Sequence, residues 1–193
     1  AVRLGVPISV DTYKPQVMQA ALDLGADIVN DIWALRQSGA AQVVAAHPRC
    51  GLCLMHMHRD PQTMQTAPMQ GDVVPQVLTF LELQAQYLQG LGVNKSRIAI
   101  DPGIGFGKTA QQNFALLARQ RELLALGYPV LAGWSRKSSL GAVTAALAHL
   151  RADGDVSGPG DYSLMRVDGS VLAAQAVAAL RLPTAWCCRR RLR

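Results

Sequence analysis

Asp11, Asn30, Asp101 and Lys137 stand at or just past the ends of short apolar runs, in VPISVD, ADIVN, RIAID and YPVLAGWSRK. Together these types can do chemistry that none does alone. A carboxylate accepts two parallel hydrogen bonds from a planar amidine-like edge, an amide both donates and accepts, and an ammonium donates. Such a set suits a flat heterocycle with an amino group beside a ring N–H. Taken singly, Asp101 serves as well for capping a loop or helix, so the ligand reading rests on recurrence at successive run ends.

The segment after Asp101, PGIGFGKT, invites two nucleotide readings and satisfies neither. A phosphate-binding loop of the G-x-x-x-x-G-K type needs glycine where Pro102 stands, and proline also removes an amide donor. GFGKTA fits the looser G-x-G-x-x-A pattern, but the next apolar run ends in SRK and offers no acid for a ribose hydroxyl. What remains is a glycine-rich turn that lets backbone and Phe106 approach a flat ligand beside a strand-end carboxylate. Cys50 and Cys53 form a CxxC, yet no second ligand pair follows at zinc spacing, and both are expected to pack as small hydrophobes. His56 reads as support for a strand end rather than as a general base. Met57 and Met64 read as packing residues, and Arg136 either reaches an anion or fixes its loop through a salt bridge.

The elements that must position these groups follow a β/α rhythm: an apolar run, polar residues, a helical pattern, then glycine. After VPISVD, Pro15 suits a helix start, with Val17, Met18, Ala21 and Leu22 as the apolar face before Gly25. ADIVN and GLCLM follow as strands. A long helix is expected over residues 72–89, facing inward through Val73, Val77, Leu81 and Leu88. Thr109 can cap a helix carrying Leu116, Leu117, Leu123 and Leu124, closed by Gly127. Residues 151–163 read as a polar, glycine-rich loop, and a last helix is expected from about Ser170 to Leu180.

Five runs alternating with helices imply an α/β fold with a parallel sheet. Ligand-capable residues at nearly every strand end favour a barrel over an open doubly wound sheet, which would carry a glycine turn after its first strand. A complete (β/α)8 TIM barrel needs eight strands and about 250 residues. This sequence offers five strands in 193 residues, so an incomplete barrel is expected.

Half the residues are hydrophobic, enough for one sizeable core. No apolar run is long enough for a membrane span and no signal peptide is evident, so a cytoplasmic protein that engages no membrane is expected. The opening at Ala1 runs at once into an apolar segment, as expected of a sequence whose natural start lies upstream. The net charge of +6 comes mostly from Arg189, Arg190, Arg191 and Arg193; without these four of the 19 basic residues, 15 remain against 13 acidic. A nearly neutral body without a basic, aromatic-interleaved face excludes nucleic acid as the expected partner. Residues 1–180 read as one domain and 181–193 as an atypical basic tail.

Read jointly, SVDTYKP, DIVNDI, LMHM followed by DPQTMQ, DPGIGFGK and GWSRKSSLG resemble, in order, the sequence blocks of dihydropteroate synthases. The resemblance is close from residue 7 to about 144, and RVDGSV resembles the start of that family's last helix. It places the five strands as the third to seventh of the barrel. It implies condensation of a pterin-methyl diphosphate with p-aminobenzoate in folate biosynthesis, with Mg2+ as cofactor and a homodimer as a possible assembly. By matched motif, Asp101 would hold the pterin 2-amino and ring N–H edge, Asn30 and Asp11 the far side of the pyrazine ring, and Lys137 the carbonyl and adjacent nitrogen. Met55 would pack on the pterin face, with Asp101 and Lys137 as the catalytic pair. Phe106 and Ser135 would line the p-aminobenzoate pocket, where sulfonamides bind in the family.

Two departures accompany the resemblance. The family's first two strands, whose loops bring a magnesium- and diphosphate-binding asparagine and a closing threonine–arginine pair, have no counterpart. RLPTAWCCRRRLR replaces a last strand carrying a diphosphate-binding arginine and histidine, as a shifted reading frame or truncated gene segment would. The alternatives are an inactive pterin-binding fragment and a methyltetrahydrofolate-binding methyltransferase-type domain. SRKS with GFGK favours the synthase.

Overall fold

Four of the five expected runs become strands: β1 (Ser9–Asp11), β2 (Ile28–Asp31), β3 (Gly51–Met55) and β4 (Ile98–Asp101). The computed structural model describes residues 7–134 apart from 65, together with the backbone of 163–165 and 171–173. The strands pair in parallel in the order β1-β2-β3-β4. The fifth run joins at one parallel bridge, where Ile100 N–H donates to Pro129 O and Leu131 N–H to Ile100 O, both at 2.9 Å.

Helices connect the strands. α1 (Pro15–Asp23) starts on Pro15, whose missing N–H falls where helix amides have no internal partner. Met18 and Leu22 face inward as expected, but Val17 is 44% exposed. The buried stripe of this two-turn helix is a single i, i+4 pair. α2 (Ala40–Ala46) follows Gly39, whose φ of 86° sits in the left-handed region. Its alanine-rich sequence has little apolar contrast, which is why no periodicity announces it. α3 (Val73–Gly90) matches the expected long helix and buries Val73, Val77, Leu81 and Leu88. The Asp72 side chain caps it by accepting from Val74 N–H.

The helix expected after Thr109 is two: α4 (Ala110–Ala118) and α5 (Gln120–Ala125), divided at Arg119. Leu116 and Leu123 are buried, whereas Leu124 is 38% exposed. Thr109 does cap α4, in a reciprocal box with Gln112: Thr109 Oγ1 accepts from Gln112 N–H at 3.2 Å, and Gln112 Oε1 accepts from Thr109 N–H at 2.9 Å.

Near the end of the chain the helix expected from Ser170 is contradicted at its start. Val171–Ala173 is a strand, β6, paired antiparallel with β5 (Ser163–Met165). The sequence between them contains Asp168-Gly169, a strong hairpin dipeptide, and Val171 is β-branched. Ser163, expected in the polar loop, belongs to β5; the rest of that loop, residues 174–180 and the basic tail lie outside the described residues.

Alternation along the strands gives the sheet two different faces. Val29, Leu52, Leu54, Ile98 and Ile100 join Met18, Val44, Leu81, Leu88 and Leu116 of the helices in the apolar core. The opposite face carries Asp11, Asn30, Cys53, Met55, Ala99 and Asp101. Among the described residues no helix is long and apolar enough to cross a membrane.

Candidate functional site

Strand register assembles the site. Asp11 lies opposite Asn30, and Asn30 opposite Cys53. Cys53 lies opposite Ala99, and Met55, one pleat further on, opposite Asp101. Residues paired in a parallel ladder share a face, and residues two apart on one strand do as well. Two rows result, both toward the C-terminal ends of the strands. Asn30 and Asp31 therefore diverge: Asn30 joins the row, while Asp31 turns to the helix side and accepts from Trp33 and Leu35 N–H, both at 2.8 Å.

The acidic groups in these rows have different settings. Asp11 is exposed at β1. Asp101 is buried, and its Oδ1 accepts from Gly103 N–H at 2.7 Å. Asn30 Oδ1 is buried and has no hydrogen-bond partner among the described residues. Cys53 is also on this face. Burial pushes its thiol well up from the ordinary range, and the Asp101 and Asp11 carboxylates push it further, so both acids act on one point of the sheet. Cys50, in contrast, is in the core, where its Sγ accepts from Arg97 Nη2 at 3.2 Å. The two thiols of the CxxC thus lie on opposite faces, and both are free and buried, as expected of cysteines that pack as small hydrophobes.

The turn after β4 packs against the end of β3. Gly103 has φ 66° and Gly107 φ 70°. A Cβ at Gly103 would overlap the His56 carbonyl, and one at Gly107 would come within 2.6 Å of His58 Cβ. Phe106 is half-buried in this turn, and its N–H donates to Gly103 O at 3.1 Å. Two polar residues overlooked at the sequence level hold the turn. Asn113, fully buried on α4, accepts from Gly105 N–H through Oδ1 at 3.0 Å. Lys108, also buried, donates from Nζ to Gly103 O, Phe106 O and His56 O at 2.9, 3.2 and 3.3 Å. A lysine at the end of a glycine-rich turn signals anion binding more readily than carbonyl binding.

His56 occupies the junction. Its N–H donates to Asp101 O at 2.9 Å, its ring meets Phe80 edge-on at 5.0 Å, and its Nδ1 has no hydrogen-bond partner among the described residues. Burial, then the Lys108 charge, lowers its pKa to about 3, with smaller contributions from Arg36 and His58. A neutral imidazole packed on a ring fits support of the strand end. Because the unfolded imidazole protonates near 6.5 and the folded one only near 3, the unfolded state binds more protons between those values. The resulting stability is complete above about 6.5 and declines by up to about 1.4 kcal/mol per pH unit as acid is added. Urea midpoints measured from pH 7 to 5 should fall less steeply for His56→Leu than for the parent. Parallel slopes would contradict the neutral buried ring.

Of the residues expected at the site, the structure brings Asp11, Asn30, Met55 and Asp101 to one face and sets Phe106 in the adjoining turn. Ser135, Arg136 and Lys137 lie outside the described residues. A parallel sheet backed by helices, with polar side chains gathered at the C-terminal ends of its strands, is the arrangement of a β/α-barrel protein. Within that class the chain belongs to the pterin binding enzyme family, whose model matches residues 1–176. It is 41% identical over 179 residues to the dihydropteroate synthase of Neisseria meningitidis serogroup B, covering 91% of this chain and 58% of that one. The solved Burkholderia cenocepacia dihydropteroate synthase, complexed with 7,8-dihydropteroate, superposes with a TM-score of 0.67 at 51% identity, covering 74% of this chain and 53% of that one. The Xanthomonas albilineans dihydropteroate synthase with 4-aminobenzoic acid gives 0.66 at 47%, covering 72% and 48%. This chain spans about half the length of the curated relatives it matches.

Proposed function

We propose that this chain supplies the pterin-binding part of a dihydropteroate synthase site. The observation that carries this reading is the shared face of Asp11, Asn30, Met55 and Asp101 at the strand ends, within a chain of the pterin binding enzyme family. In the reading, Asp101 accepts the 2-amino and ring N–H edge of the pterin, and Met55 packs on its flat face. Asn30 meets the pyrazine side with its buried amide oxygen, and Asp11 stands beyond it. Phe106 borders the place of p-aminobenzoate; Ser135 beside it and Lys137 toward the pterin carbonyl are assigned by motif. The ligands of the Burkholderia and Xanthomonas relatives support both substrate classes.

The chemistry is an alkyl transfer. The bond between the pterin methylene carbon and the diphosphate oxygen breaks, and diphosphate leaves with the electron pair. The p-aminobenzoate nitrogen bonds to that carbon and releases a proton. Positive charge grows on the methylene, so a carboxylate on the distant amino edge favours the electron-rich pterin that stabilises it. No side-chain nucleophile is required. Among the described residues no cluster of three or more His, Cys, Asp or Glu could hold a metal ion, so these residues do not by themselves fit the Mg2+ implied by resemblance.

Calorimetric titration with a reduced 6-hydroxymethylpterin, with and without its diphosphate, is expected to give saturable binding to the parent chain. A condensation assay with p-aminobenzoate then separates a synthase from a binding fragment. Absence of binding to either pterin would overturn the reading.

A further inference from the structure

The Lys108 ammonium is buried at the focus of three backbone carbonyls from two parts of the chain. His56 O belongs to the end of β3, while Gly103 O and Phe106 O belong to the turn that follows β4. Three carbonyl dipoles aimed at one buried point repel one another unless a cation sits between them. A lysine that only filled space would need its stem and no such focus. The charge is therefore tied to the shape of the turn.

That shape reaches the proposed ligand-binding carboxylate in one step. Gly103 donates through its N–H to Asp101 Oδ1 at 2.7 Å, while its carbonyl accepts from Lys108 Nζ at 2.9 Å. Holding one end of Gly103 holds the other, and with it the orientation of the Asp101 side chain. Phe106 is held in the same way through its carbonyl. We propose that Lys108 is a positioning residue: a tethered cation that fixes the Gly103–Phe106 turn and so sets the Asp101 carboxylate and the Phe106 ring for their ligands. This rests on the pterin-binding reading of Asp101.

The test uses the full chain and a reduced 6-hydroxymethylpterin, with affinity read by calorimetry and folding by thermal unfolding. Hydrogen bonds to charged groups contribute about 1.5–3 kcal/mol, so Lys108→Met, which keeps an unbranched stem, should lose roughly tenfold or more in affinity while still unfolding cooperatively. Lys108→Ala should regain part of its affinity in methylammonium chloride but not in tetramethylammonium chloride of equal ionic strength, since only the former donates hydrogen bonds. If Lys108→Met fails to fold, Lys108→Gln is read in its place, because it keeps a donor without the charge. Affinity within about twofold of the parent in the folded variant, less than about 0.5 kcal/mol, would overturn the positioning role. So would equal recovery in the two salts. A parent chain that binds no pterin would instead overturn the proposed function, a result distinct from binding that persists in the variants.

Discussion

Asp101→Asn is expected to weaken reduced-pterin binding by about 1–3 kcal/mol, roughly five- to 150-fold, and more than Met55→Leu does. The asparagine can keep its carbonyl oxygen toward Gly103 N–H, preserving the 2.7 Å contact that orders the turn. Its amide nitrogen then occupies the second oxygen's place and presents hydrogens to a ligand edge that also donates. The loss arises from a reversed donor pattern at an unchanged volume. Met55→Leu likewise keeps volume, would face the flat side of the pterin in the proposed site and should cost under about 1.5 kcal/mol. Both affinities come from the same calorimetric titration. Equal small losses would remove Asp101 from the pterin edge.

The largest effect on folding is expected at Gly103. An alanine there must adopt φ 66° at about 1–2 kcal/mol, and its Cβ would overlap the His56 carbonyl, a backbone atom that cannot rotate away. Gly92 provides the control: its φ is 88°, but a Cβ there meets nothing within 4 Å. Gly92→Ala should therefore show the left-handed cost alone. Gly103→Ala should add the displacement of the turn, for a total of at least about 3 kcal/mol, or roughly 6–12 °C in thermal midpoint for a chain of this size. Equal midpoints for the two variants would show that the turn and the end of β3 are not in close contact.

How much of this was legible from sequence varied with the range of the interaction concerned. Apolar runs ending in polar residues located β1 to β4 and put Asp11, Asn30, Met55 and Asp101 at their ends. Pro15, Thr109 and the stripe from Val73 to Leu88 are local signals, and they placed three helices. α2 escaped because alanines give no contrast between faces, and the division at Arg119 escaped because the leucines on either side keep a helical spacing. The helix expected from Ser170 followed apolar content and gave too little weight to Asp168-Gly169 as a turn. Lys108 was visible as a residue but not as a donor to His56 O, 52 positions away. Asn113 likewise looks like an ordinary helix residue until Gly105 is brought against it. Cys50 precedes β3 and Cys53 lies within it, and three residues of extended chain turn the two thiols to opposite faces, a distinction that needs the strand's position as well as the CxxC spacing.

The division of the sheet into two faces also bears on which changes of length this chain can tolerate. Residues 59–64 and 66–70 lie outside the helices and strands, so a gained or lost residue there can be absorbed by the loop. Within Ile98–Asp101 the outcome is different. One extra residue ahead of Ile100 would shift the pleat by half a period, turning the carboxylate of Asp101 into the leucine-lined layer and Ile100 out to the face that carries Met55. Two extra residues would restore the facing but move the acid about 7 Å along the strand, past its place opposite Met55. Divergent versions of this sequence can therefore be expected to vary in length between the strands and to keep a fixed count within them.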